Sequence, residues 1–154
     1  MTVAKYYWED FKPGESFPMG ERVMDRDEMM AFARQFDPQP FHIDEEAAKR
    51  SMYGGLIASG WHTVALVMRM MCESYLNQSA SLGSPGVDNV RWLKPVRPGD
   101  TIRARRTVLE SRASQSRPEM GLVKTRWEVF NQDDELVMTI EGYGMFYRRG
   151  AGAA

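Results

Sequence analysis

Hydrophobic positions recur with two different periods along the chain, and the change of period divides it. The first half is helical in period. Met29, Met30, Phe32, Ala33 and Phe36 fall on one face of a 3.6-residue repeat. Asp25 with Glu28 three residues later forms a capping box at the start of that helix. Pro38 ends it at Asp37. A short helix capped by Asp44 is predicted up to Arg50, followed by a glycine-rich loop from Tyr53 to Gly60. The strongest helix runs from about Gly60 to Asn77, with Ser59 as its cap. Trp61, Val64, Ala65, Leu66, Val67, Met68, Met70, Met71 and Leu76 make it apolar nearly all round, as in a helix buried on most sides. Its polar stripe is His62, Arg69 and Glu73.

After Gly86 the period becomes two. Val87 to Leu93 reads as a strand, followed by a turn from Lys94 to Asp100. Ile102, Ala104 and Val108 alternate on a strand from Thr101 to Glu110. A polar loop is predicted from Ser111 to Gly121. Val123, Thr125, Trp127 and Val129 alternate on the next strand, Asn131 to Asp134 turns a hairpin, and Leu136, Met138 and Ile140 alternate on the last. Upstream, Trp8 to Val23 reads as a loop and then a strand, with a turn at Pro13-Gly14. The predicted class is α+β: one long buried helix preceding an antiparallel meander. A sheet wrapped around a single long helix, the hotdog fold, solves that burial problem. Its open edges invite pairing, so a homodimer or a multiple of dimers is expected. Residues 1–149 are read as one domain and 150–154 as a disordered tail.

Composition narrows the function classes. A net charge of −1 over 154 residues gives no footprint for nucleic acid. The single cysteine, Cys72, excludes an internal disulfide framework and fits a reducing compartment. The first ten residues carry acids and no apolar h-region, and no apolar run approaches membrane-spanning length. A soluble cytoplasmic protein is therefore expected, with neither a nucleic-acid nor a membrane partner. Two histidines and one cysteine, scattered along the chain, make no metal-ligand set, and no dinucleotide or Walker glycine motif is present. Twelve methionines suit adaptable packing.

The candidate chemistry lies in Phe36-Asp37-Pro38-Gln39-Pro40-Phe41-His42-Ile43-Asp44. Each proline disfavours helix in the residue before it, so this segment is predicted to be a stiff, extended, non-helical turn. Asp37 and His42 can then meet only if the turn folds them toward one point. A carboxylate and an imidazole held that way can move protons. Asp37 could also simply end its helix and bond its own turn. His62 reads as a structural residue of the long helix. Arg69 and Glu73 suit an ordinary i, i+4 pair. Arg103 and Arg105 read as a solvated strand face, while Arg106 falls in the apolar register.

Asp37-Pro-Gln-Pro-Phe-His42 resembles the D-x-N-P-x-H signature of the MaoC-like dehydratases, the (R)-specific enoyl-CoA hydratase group. Asp44, Ala47-Ala48, the loop from Gly54 to Gly60, and Arg91-Trp-Leu-Lys-Pro-Val-Arg-Pro-Gly-Asp100 also resemble that family. The resemblance implies reversible addition of water across a trans-2-enoyl thioester of CoA or an acyl-carrier protein. It implies Asp37 and His42 as catalytic residues sharing one water, and the Gly60 amide as oxyanion donor. It further implies Phe41, Ile57, Ala58, Ser59, Trp61, Arg91, Lys94 and Arg97 as substrate-binding residues; the three cations are candidates for CoA phosphates, and surface solubility explains them equally well. No cofactor is implied beyond the CoA of the substrate.

Three positions depart from the family pattern. Gln39 stands where Asn is usual, Ser59 where His often precedes the glycine, and Ala65 where a Ser is common. The hydroxyl that would order the site from position 65 is absent. Two alternatives stay open. A hotdog thioesterase would need a carboxylate on the long helix, where Glu73 is the only acid. A non-catalytic acyl-thioester binder would need neither.

Overall fold

The structure, a computed structural model, describes residues 3–151; the predicted tail beyond Ala151 lies outside the described residues, while Gly150 and Ala151 close a turn on Arg148. A 3-10 turn, Trp8–Asp10, precedes β1, Ser16–Val23. Helix α1 is Arg26–Phe36, α2 is Pro40–Ile43, α3 is Glu45–Arg50 and α4 is Gly60–Ser74. Strands β2, Gly86–Trp92, β3, Thr101–Ala113, β4, Met120–Phe130, and β5, Leu136–Tyr147, complete the chain. The five strands form one antiparallel sheet in the order β1-β3-β4-β5-β2. Only β3, β4 and β5 are a meander. The expectation of a simple meander from Val87 onward is corrected, because β2 pairs with the last strand and forms an edge.

The sheet curves around α4, the hotdog arrangement. Ile102, Ala104 and Val108 of β3, Val123 and Val129 of β4 and Met138 and Ile140 of β5 turn one face inward. Against it α4 lays Leu66, Val67, Met70 and Met71. Burying side chains of this size is worth about 1.5–3 kcal/mol each, which fixes the helix on the sheet. Each ladder carries a register shift, and such bulges bend a strand and strengthen its twist. In β1 the shift lies at Gly20, whose φ of +88° only glycine adopts freely.

Several boundaries differ from the sequence reading. Helix α4 stops at Ser74, and a 3-10 turn continues from Leu76 to Gln78. Its burial is one-sided in the single chain: Trp61 is 57% and Met68 45% exposed. The polar stripe is also different. Glu73 pairs with Arg69 and with Arg22 of β1, but His62 is buried against α1. The loop after β3 is shorter than predicted, because cross-strand pairing carries β3 and β4 to within six residues of each other. Phe36 is exposed and leans on Phe32 instead of entering the core. Arg106 does point inward, its guanidinium packed over the rings of Tyr75 and Phe17. Arg103 pairs with Asp134, and Arg105 donates to Ser16.

His62 carries a consequence for stability. Its ring stacks on Phe32 and lies 3.7 Å from Glu28, while Nδ1 has no partner among the described residues. Burial lowers its pKa and outweighs the opposing pull of Glu28. The unfolded chain therefore takes up this proton more readily than the folded one. Below the ordinary histidine value of about 6.5, stability must fall as pH falls. Thermal melts between pH 7 and pH 5 are expected to show that loss in the wild type and a flatter profile in His62→Gln; equal slopes in the two proteins would contradict it.

Candidate active site

The segment from Asp37 to Asp44 is not a continuous extended turn. Pro38 does end α1, with Asp37 as its C-cap. Pro40, however, opens α2, and His42 lies within that helical turn. Proline is well suited to the first helical position, where its missing N–H has no acceptor anyway and its φ is already helical. The short turn brings the imidazole back toward the carboxylate. Nε2 of His42 stands 3.3 Å from Oδ2 of Asp37. The two predicted catalytic residues do meet.

Both groups are held from behind. His42 is buried, and its Nδ1 lies 2.8 Å from the carbonyl oxygen of Ile57. A carbonyl only accepts, so Nδ1 carries a hydrogen, and in the neutral form of the ring Nε2 presents its lone pair to the site. Asp37 accepts from Gln39 Nε2 at Oδ1 and from Ser59 Oγ at Oδ2, both at 2.7 Å. Burial pushes the Asp37 carboxyl up, but the hydrogen bonds from Gln39 and Ser59 and the nearby imidazole outweigh it and hold the pKa below the ordinary carboxylate value. Asp37 is thus a carboxylate at neutral pH. Two acceptors, Oδ2 and Nε2, converge where a water could donate to both.

The pair opens onto a cleft of about 540 Å³. Phe41, Ile57, Ala58, Gly60 and Trp61, all predicted from the sequence, line it. Phe41 packs edge-on against His42, and the Ala58 amide donates to Val96, pinning the loop before α4. At the start of α4 the amides of Gly60 and Trp61 have no acceptor among the described residues. Such amides, at the positive end of the helix dipole, favour an anion. Trp92 crosses Gly60 so closely that a Cβ there would lie 2.4 Å from indole atoms Cε2 and Nε1.

Other predicted residues are placed differently. Ser59 does not line the cleft, and it does not cap α4 with its side chain; it is fully buried beneath Asp37. Lys94 lines the cleft with its ammonium already paired to Glu135. Arg97 is turned away, donating to the carbonyl of Tyr53, and Arg91 lies exposed on β2 outside the cleft. Ala65 is exposed, also outside the cleft. Glu73, the acid a thioesterase would need, is near the far end of α4 and bound by two arginines.

Sequence reasoning missed Trp92, Thr63, Val137 and Met138 as cleft residues, and missed the Ile57 carbonyl and the Gln39 amide as supports. The Gln39 role had a signal, since an amide two residues after a helix-ending Asp can reach back to it. Which strand closes the cleft had none, because it depends on the β2–β5 pairing.

Among the described residues no cluster of three or more metal-ligating side chains occurs, and no helix is long and apolar enough to cross a membrane. Residues 10–129 match the MaoC like domain. The chain is 39% identical to the MaoC-like dehydratase of Rhodospirillum rubrum, with a TM-score of 0.86, covering 94% of this chain and 98% of that one. It is 29% identical to the uncharacterized protein YdeM of Bacillus subtilis over 87% of this chain and 92% of the relative. It is 26% identical to the (R)-specific enoyl-CoA hydratase of the same Rhodospirillum species over 67% of this chain and 69% of that enzyme. With this fold, this match and a carboxylate–imidazole pair at the signature positions, the chain belongs to the MaoC-like domain family.

Proposed function

We propose that the protein is a hydratase and dehydratase of acyl thioesters, adding water reversibly across a trans-2-enoyl thioester of CoA or an acyl-carrier protein. The observation that carries this reading is the convergence of Asp37 Oδ2 and His42 Nε2, 3.3 Å apart, on a cleft that also holds the free Gly60 amide. A water donating to both acceptors is held for attack on C3. An imidazole is by nature the stronger base, by roughly two to three pKa units. His42 therefore takes the water proton as the oxygen bonds to C3, while ionised Asp37 stabilises the imidazolium. The π electrons move onto the thioester oxygen, which the Gly60 amide receives. A proton from the pair then goes to C2, and the carbonyl re-forms.

An apolar groove separate from the cleft is available to an acyl chain. Beyond the cleft, a second groove of about 210 Å³ lies between α4 and the β2–β5 pair, lined by Val64, Met68, Met71, Val87 and Ile140 among others. The protein acts in this reading as a homodimer or a multiple of one. Support comes from the unpaired edge of β2 and from exposed Val87, Trp92 and Leu93 beside exposed Trp61 and Met68.

Crotonyl-CoA tests the reading. Loss of enoyl-thioester absorbance without release of free thiol is the expected result. Thiol release would establish a thioesterase instead, and neither signal would leave only a binder. Light scattering at micromolar concentration is expected to give a dimer or larger, and a stable monomer would refute the assembly.

A further inference from the structure

The loop Ile57–Gly60 touches both members of the pair. Its Ile57 carbonyl holds His42, and two residues on its Ser59 hydroxyl holds Asp37. Ser59 occupies the N-cap position of α4, where a serine hydroxyl ordinarily accepts from the amide two or three residues ahead. Here it makes no such bond. Its backbone carbonyl takes the His62 and Thr63 amides, so the helix starts without the side chain. The hydroxyl instead crosses to Oδ2 of Asp37, the same oxygen that faces His42. Ser59 is fully buried, whereas Gln39, on the other carboxylate oxygen, is exposed. Water can replace the Gln39 bond; it cannot readily reach the Ser59 bond.

We propose that Ser59 is a positioning residue, whose buried hydroxyl fixes the rotation of the Asp37 carboxylate so that Oδ2 points at His42. The inference rests on the hydratase reading of the site. A carboxylate turns about its Cβ–Cγ bond with little resistance, so one buried donor on Oδ2 decides which lone pair meets the water.

The test compares Ser59→Ala and Ser59→Thr with the wild type, using crotonyl-CoA hydration, melting temperature and the pH profile of kcat/KM. Ser59→Ala is expected to lower kcat about 10- to 100-fold with KM changed by less than about threefold, as for a misoriented catalytic group. Its acid limb, which reports protonation of the Asp37–His42 pair as a unit, is expected to move to higher pH, because the pair loses a donor that stabilises its negative charge and so holds its proton more tightly. Melting should change little, since no side-chain cap is removed. Ser59→Thr, which keeps the hydroxyl, is expected to restore the acid limb and most of kcat. The proposal is overturned if Ser59→Ala keeps the wild-type kcat and acid limb. It is equally overturned if both variants lose rate with the acid limb unmoved and melting lowered, since that is the pattern of a packing role. Asp37→Asn run alongside separates this from the hydratase reading. If it abolishes hydration while Ser59→Ala does nothing, only the Ser59 role fails.

Discussion

Asp37→Asn is expected to lower the rate of crotonyl-CoA hydration by about a hundredfold to ten-thousandfold, the range for a general acid–base group, with the fold intact. Asparagine matches the carboxylate in size and can still accept from Ser59 at its amide oxygen. It carries no charge to support a protonated His42, and with its oxygen kept on Ser59 its NH₂ takes the Oδ1 place, where it faces the Gln39 Nε2 donor. His42→Ala is expected to cost a similar amount, since it removes Nε2 while leaving the Ile57 carbonyl a vacated pocket that water can fill. The losses should not add. Both groups hold one water, so the double variant should fall little below either single one. Either single variant hydrating crotonyl-CoA within about threefold of wild type would remove this pair from the chemistry.

Gly60→Ala is expected to reduce turnover by about 10²–10³, the cost of losing one oxyanion donor. The sequence alone predicts unchanged or higher stability, because alanine is the better helix former. The packing corrects that expectation. An added Cβ would stand 2.4 Å from the Trp92 indole, so the ring must move. Overpacking of this kind costs typically about 1–3 kcal/mol, somewhat less where the ring can swing toward solvent, and Trp92 is 46% exposed. A lower melting temperature is therefore expected together with the lower rate. Combining Gly60→Ala with Trp92→Ala separates the two effects. Melting should recover relative to Gly60→Ala while the rate stays low, because the methyl group still crowds the thioester oxygen. If the rate recovers as well, the loss came from the displaced indole and the Gly60 amide has no oxyanion role.

The parts of this site that follow local rules were legible in the sequence. Asp25 caps α1 through the Glu28 amide, Asp44 caps α3 through the Ala47 amide, and Pro38 sets the end of α1 at Asp37. Each depends on neighbours within four residues. The alternating positions of β3 and β4 likewise reported the buried face of the sheet. What failed depended on partners distant along the chain. Ser59 was read as a cap because Asp37, 22 residues away, was not known to compete for its hydroxyl. His62 was placed on a polar stripe because helix geometry alone cannot show that α1 covers it. Arg97 was offered to a phosphate although the Tyr53 carbonyl had taken it. The turn at Pro40 failed for a different reason: the rule against proline in helices has its exception at the first position, and that exception shapes the loop carrying His42.

Hydration of crotonyl-CoA in water enriched in heavy oxygen, followed by mass spectrometry of the products, tests the central claim most directly. The wild type is expected to place one heavy oxygen in an intact 3-hydroxyacyl-CoA, and Asp37→Asn to leave the enoyl-CoA unlabelled over the same time. Heavy oxygen in a free carboxylic acid with the thioester cleaved, or equal labelling of the hydroxyacyl-CoA by Asp37→Asn, would contradict water addition by the Asp37–His42 pair.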